Sequence, residues 1–222
     1  LKIEIKNIKK NYSKKEVLRD VSFEASSGEC IGILGENGSG KSTLFSVLTG
    51  LQKGEGAFLA DGADLMKSPS KRERIVGFVP QSPPLMAELS AKDNLRLWYT
   101  KAEMEKELSG GVLSLLGISE FVKVPVSKMS GGMKKRLSIG CAVANHPTVL
   151  FLDEPSAALD IVCKEKIGDY LRKFKKAGGI IVIATHDVYE LDLCDRLYIL
   201  KDGALTLYEG ERDVKSLAEQ LS

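Results

Sequence analysis

The stretch "CIGILGENGSGKST", Cys30 to Thr43, decides how the rest of this 222-residue chain is read. Five apolar or small residues, Cys30 to Leu34, form a run short enough for one strand and apolar enough to be buried on both faces. The loop that follows matches G-x-x-x-x-G-K-[ST], and a helical pattern opens at Lys41. Gly35, Gly38 and Gly40 free the backbone to close its N–H groups on phosphate oxygens, with Asn37 and Ser39 between them. Lys41 reaches the β and γ phosphates, Ser42 offers a hydroxyl to Mg²⁺, and Thr43 continues the helix whose N-terminus adds positive potential.

Working outward, three more runs have the same buried-strand character: "IVGFVP" (Ile75 to Pro80), "TVLFL" (Thr148 to Leu152) and "IIVIAT" (Ile180 to Thr185). Helical patterns at Lys41 to Thr49, Asp160 to Ala177 and Val188 to Cys194 alternate with them, which predicts a parallel α/β core. The N-terminal segments Leu1 to Tyr12 and Glu16 to Ser26 instead alternate apolar and polar residues about a Ser-Lys-Lys turn. That pattern predicts an antiparallel hairpin with one wet face. Between Ser82 and Ala144 no strand-like run follows "SPP", and helices are expected over Ala91 to Thr100, Glu105 to Leu116 and Met133 to Ala144. The expectation is one α/β domain over 1–222, with a β subdomain and core from 1–81 and 145–222 and a helical subdomain inserted at 82–144.

Composition narrows the function classes. Thirty-two Lys and Arg stand against 30 Asp and Glu, and the basic runs are short, so nucleic-acid binding is not expected. "KSPSKRER", Lys67 to Arg74, reads as a solvated loop. No apolar run approaches the roughly 20 residues of a membrane helix. Nothing at the N-terminus reads as a secretory leader, and the native ends are left open. Cys30, Cys141, Cys163 and Cys194 lack ligand or disulfide spacing and are expected to be buried reduced thiols. His146 and His186 have no ligand-spaced partner, so no zinc site is expected.

"VLFLDEPS" ends a buried strand in two carboxylates, which is costly unless they meet a cation. Asp153 is expected to help hold Mg²⁺, and Glu154 to face the γ-phosphate and take a proton from the attacking water. A second glycine-rich stretch, "KMSGGMKKR" at Lys128 to Arg136, is unnecessary for one nucleotide.

Together these motifs resemble the ATP-binding-cassette family of transporter ATPase subunits, over nearly the whole chain. The family implies a P-loop NTPase (RecA-like) core carrying an antiparallel β subdomain and an inserted helical subdomain. "MSGGM" resembles the family signature Leu-Ser-Gly-Gly-Gln, with Met129 and Met133 at the outer positions. The resemblance implies that Ser130, Gly131 and Gly132 clamp ATP held by the phosphate loop of a second subunit in a head-to-tail dimer. It also implies that Gln81 touches Mg²⁺ and the water, and that "SAALD", Ser156 to Asp160, crosses the dimer interface. By the same likeness His186 contacts the γ-phosphate and the Tyr12 ring stacks on adenine. Transmembrane permease subunits would be separate chains, the protein sitting peripherally on the cytoplasmic face of the cell membrane. "GGMKKRL" is similar to bacterial exporter ATPases. An importer subunit, a cassette serving DNA repair or translation, and a cassette that binds ATP without turnover are the rival readings. Trp98 and Tyr99 are left divided between core packing and a groove for the membrane partner.

Overall fold

The computed structural model describes residues 1–13, 15–185 and 187–221. A hairpin of β1 (Lys2–Tyr12) and β2 (Lys15–Ser26) precedes β3 (Cys30–Leu34), which runs through the glycine loop into α1 (Lys41–Leu48). Strands β4 (Glu55–Ala60) and β5 (Ala63–Asp64), helix α2 (Pro69–Ile75) and strand β6 (Val76–Val79) follow. Next come α3 (Ala91–Leu95), α4 (Lys101–Gly110), α5 (Val112–Leu115) and α6 (Gly131–Ala142), with 3-10 turns at Ile118–Phe121 and Val126–Lys128. The chain ends through β7 (Val149–Asp153), α7 (Ile161–Lys176), β8 (Ile180–Ala184), α8 (Val188–Leu191), β9 (Arg196–Lys201), β10 (Ala204–Tyr208) and α9 (Val214–Leu221).

Two sheets result. One is antiparallel, in the order β2-β1-β4-β5; the other runs β10-β9-β3-β8-β7-β6, parallel throughout except for its β10 edge. The continuous apolar strands are explained by burial on both faces, because successive side chains point oppositely. In β7, Val149 and Phe151 face α1 and the antiparallel sheet, Phe151 meeting Phe45 of α1 at 5.3 Å and Phe58 of β4 at 6.0 Å between ring centroids. Leu150 and Leu152 face the other way, into a core completed by α3 to α7. The hairpin behaves as its alternation predicts: Ile3, Ile5, Leu18, Val21 and Phe23 are buried while Glu4, Lys6, Asp20 and Ser22 lie on the other face.

The helical segment differs from its sequence pattern in three places. The helix expected to begin at Glu105 begins at Lys101, because Thr100 and Glu103 form a reciprocal capping box. It does not run on to Leu116: the chain turns extended at Gly111, where the Glu107 carboxylate accepts from the Val112 N–H at 2.6 Å and caps a separate short helix. The first helix stops at Leu95, short of Thr100. Lys67 to Arg74, read as a loop, contains most of α2, whose proline sits in the first turn where it costs no hydrogen bond.

Candidate active site

The parallel sheet sets its strands side by side in the order β3, β8, β7, β6, so their C-terminal ends present four loops in one row. From one end these are the glycine loop, Thr185, the Asp153-Glu154 pair and Pro80-Gln81. Ligand sites in open parallel sheets form at such ends.

In the glycine loop, Gly38 and Gly40 have φ of +86° and +110°, a region that a side chain would strain. Gly35 is needed for a different reason: a Cβ there would lie 2.5 Å from the Leu200 carbonyl oxygen. The Ser39 hydroxyl is buried with no hydrogen-bond partner among the described residues. The first turn of α1 carries no acidic residue to offset its positive end. Lys41 folds back over the loop, its Nζ donating to the carbonyls of Gly35 at 2.6 Å and Glu36 at 3.0 Å. Burial lowers its pKa, and the nearby Glu154 and Asp153 carboxylates work against that shift. A cleft of about 550 Å³ opens beside the loop, bounded by Val17, Asn37, Gly38, Ser39 and Gly203.

Asp153 is 3% exposed, and burial pushes its carboxyl upward while a hydrogen bond from Ser42 holds it down. Glu154 has φ of +48° and donates its N–H to the Ala184 carbonyl at 2.8 Å, so the chain leaves β7 in a left-handed bend. That bend sets the Glu154 carboxylate to accept from Gln81 Nε2 at 2.8 Å. Residues 73 positions apart in sequence thus meet at the strand ends.

Ser130 caps α6, its hydroxyl accepting from the Met133 N–H at 3.2 Å, and both Ser130 and Gly131 are exposed. Gly132 is buried; a Cβ there would stand 2.4 Å from Cys163 Sγ, so its glycine also permits α6 to close on α7.

A phosphate loop, paired carboxylates at the next-but-one strand end and a capped Ser-Gly-Gly helix are together what known proteins can be compared against. The family model described as ABC transporter matches residues 18–157. The chain belongs to the ABC transporter family. It is 33% identical over 221 residues to the linearmycin resistance ATP-binding protein LnrL of Bacillus subtilis (strain 168), covering 96% of this chain and 71% of the relative. It is 36% identical to the Nod factor export ATP-binding protein I of Sinorhizobium fredii (strain NBRC 101917 / NGR234), over 90% of this chain and 60% of that one. The dimeric, post-hydrolysis structure of an ATP-binding cassette bound to ADP and Pi superposes with a TM-score of 0.80 and 29% identity, over 94% of this chain and 100% of the other. The protein is therefore an ATP-binding, ATP-hydrolysing subunit of the ABC transporter type.

In this cassette, Asp160 caps α7 by accepting from the Cys163 N–H at 2.8 Å, so the carboxylates of Asp153 and Glu154 are not spent on that helix. Ser156 is buried, and Asp187 pairs with Lys164 and stands 3.4 Å from the Ser156 hydroxyl. His186 lies outside the described residues. Tyr12 ends β1, 42% exposed; its hydroxyl meets the Gln52 side chain and the Lys10 ammonium stands 4.9 Å over its ring. Of the aromatic pair, Tyr99 is core, donating its O–H to the Gly140 carbonyl at 2.7 Å, whereas Trp98 is 55% exposed beside a groove of about 650 Å³.

Cys30, Cys163 and Cys194 are buried free thiols and Cys141 is half-buried. Among the described residues no helix is long and apolar enough to cross a membrane. Two side chains were not singled out by sequence reasoning. Lys135, 5% exposed, donates to the carbonyls of Pro80 at 3.1 Å and Gln81 at 2.9 Å. Glu190, also buried, packs beneath Thr185 and Ser156. Both occur in ordinary charged helical sequence, where nothing local distinguishes them from solvated residues.

Proposed function

We propose that this subunit powers an ABC exporter by closing head-to-tail on a second copy or a paralogue around two ATP molecules, and that it reopens after hydrolysis. The observation that carries the catalytic part is the Gln81–Glu154 hydrogen bond at the head of β7, two strands from Lys41. Gly35, Asn37, Gly38, Ser39, Gly40 and Thr43 line the phosphate cradle, and phosphate oxygens take over the Lys41 ammonium from the Gly35 and Glu36 carbonyls. Glu154 accepts a proton from water as the water oxygen bonds to the γ-phosphorus. The bond from that phosphorus to the β–γ bridging oxygen breaks, and ADP leaves with the electron pair. Gln81 orients the carboxylate and the water.

Ser42, Gln81 and Asp153 offer the hard oxygen ligands that Mg²⁺ prefers, and a carboxylate buried this deeply is favoured by a cation beside it. When bound, Mg²⁺ supplies neutralising charge on the β and γ phosphate oxygens. By family likeness Tyr12 is assigned the stacking contact with adenine and His186 the γ-phosphate contact. Ser130, Gly131 and Gly132 take the partner's γ-phosphate at the N-terminus of α6.

The chain acts as one cassette over 1–222, its helical subdomain spanning 82–144. Its groove beside Leu97 and Trp98 suits a segment of a separate permease chain, and on this reading the subunit sits on the cytoplasmic face of the cell membrane. Export is favoured over import by "GGMKKRL" and by a relative whose name specifies export.

The test is Glu154→Gln. Its ATP affinity should stay within about twofold of wild type while turnover falls by about 10²-fold or more, and sedimentation should show a dimer that persists in Mg-ATP. Near wild-type turnover would remove Glu154 from the role of base.

A further inference from the structure

Glu190, in α8, is 6% exposed, and neither of its carboxylate oxygens meets a hydrogen-bond partner at full geometry among the described residues. A carboxylate so placed is costly to ionise, and an amide or apolar side chain would fill the space more cheaply. Its neighbours show what it serves. The Thr185 hydroxyl accepts from the Asp187 N–H at 2.9 Å, which leaves its own hydrogen to turn toward the carboxylate. The hydroxyl and N–H of Ser156 approach the same group. Thr185 and Ser156 are themselves buried, and both lie just past the Asp153–Ala184 pair at which β7 and β8 end.

Between β7 and α7 the backbone is strained. Glu154 and Ala158 have φ of +48° and +57°, a region in which a residue other than glycine persists only where its surroundings hold it. Midway between them, Ser156 is buried, whereas Ala157 and Ala158 are exposed. Glu190 therefore lies beneath the one buried polar side chain of the bend that aims the Glu154 carboxylate.

We propose that Glu190 is a positioning residue for hydrolysis, its carboxylate anchoring Ser156 and Thr185 and so holding the Glu154 bend in the geometry that faces the water. The inference rests on the assignment of Glu154 as base made above. When ionised, the carboxylate accepts from both hydroxyls and the Ser156 N–H together. Protonation gives it a donor of its own in place of an acceptor site, and the anchor slackens. Burial lifts this carboxyl to about 7, with the Thr185 and Ser156 donors opposing the rise and Asp187 adding to it. The Lys135 ammonium reaches it from α6, and Lys164 and Arg172 of α7 share with it the wall of a void of about 20 Å³. Lys164 is paired with Asp187, and the Cys194 thiol donates to the Glu190 backbone carbonyl at 3.3 Å. Turnover thus rises with pH through the range in which this group ionises.

The experiment measures kcat and KM for ATP in the full chain from about pH 5.5 to about pH 9, for wild type, Glu190→Gln and Ser156→Ala. Wild-type kcat should rise with a midpoint near 7. Glu190→Gln keeps the shape and removes the charge; its profile should lose that rise, and at high pH its kcat should lie at least about tenfold below wild type with KM within about twofold. Ser156→Ala should lower kcat and move the midpoint to higher pH, because it removes a donor that holds the carboxyl down. In the double variant the two losses should overlap, not add. A rise that survives unchanged in Glu190→Gln, or a wild-type kcat there at high pH, overturns the role. Should Glu190→Gln not fold, Ser156→Ala must still shift the midpoint, and a wild-type profile there overturns the role equally. Near wild-type turnover in Glu154→Gln removes the base, and this inference with it. An inactive Glu154→Gln beside a silent Glu190→Gln removes the Glu190 role alone.

Discussion

Burial lifts the Glu190 carboxyl to about 7, against hydrogen bonding from the Thr185 and Ser156 hydroxyls, which approach it without reaching full geometry. Asp187 adds to the rise, while the Lys135 ammonium also lies within reach of this carboxylate. In the unfolded chain the same group titrates near 4.5. Between those values the unfolded chain sheds a proton that the fold retains, so stability falls as pH rises through that window and levels off above it. The full penalty is of order 3 kcal/mol. Glu190→Gln removes the titration, and its gain in Tm over wild type should grow between about pH 4.5 and pH 8. A gain independent of pH would show that the carboxylate is compensated in the fold. Sequence offered no sign of this group, because a glutamate in "DVYELDL" looks like any solvated helix residue until its neighbours close over it.

At the scale of elements, the junction of α6 with α7 is the tightest constraint around the signature stretch. The Gly132 Cβ position lies 2.4 Å from Cys163 Sγ and 3.1 Å from Cys163 Cβ, so one helix must back away if a methyl is added. Gly132→Ala should destabilise the fold by roughly 1–3 kcal/mol, as overpacking does. Cys163→Ala deletes the nearer atom and should restore part of that loss in the double variant, a coupling that chemical denaturation of all four proteins measures. Strict additivity would mean that the helices are not in contact there. The Ser-Gly-Gly motif was legible as a helix mouth, and Ser130 does cap α6. That the second glycine also serves packing could not be read, because Cys163 is 31 residues away and nothing local pairs them. Helix α4 shows the opposite case: the Thr100 and Glu103 capping box is local chemistry that sequence contained and the hydrophobic pattern concealed.

The whole molecule presents Ser130 and Gly131 to solvent on a helix packed against α3, β6 and α7, while the phosphate loop opens from β3, three strands along the sheet from β6. Neighbouring strands lie about 4.8 Å apart, which sets those two strands some 14 Å from each other. If each cradle serves a different chain's nucleotide, Ser130→Arg should leave monomer ATP affinity within about twofold while abolishing the ATP-dependent dimer by filling the partner phosphate's seat. Calorimetry on the monomer and sedimentation in the Glu154→Gln background separate the two quantities. A monomer affinity lost in step with dimerisation would mean that both glycine-rich stretches serve one nucleotide.

Sequence by itself determined what is local. The phosphate loop lies between a buried strand and a helix, the carboxylates close a buried strand, and the apolar runs of β3, β7 and β8 are doubly covered because each residue's period-two neighbour is apolar as well. Weaker strands escaped it: β4 is interrupted by Gly56 and earns its place by pairing Phe58 with Ile5 across the sheet, and β9 by lying parallel to β3. Only the tertiary structure decided which loops share one row of strand ends, that Gln81 reaches Glu154, and that Lys135 turns inward to the Gln81 backbone 54 residues away. The physical reason is common to all three. A polar side chain's role depends on which partners remain when water is excluded, and that exclusion is a property of the packed chain, not of the residues beside it in sequence.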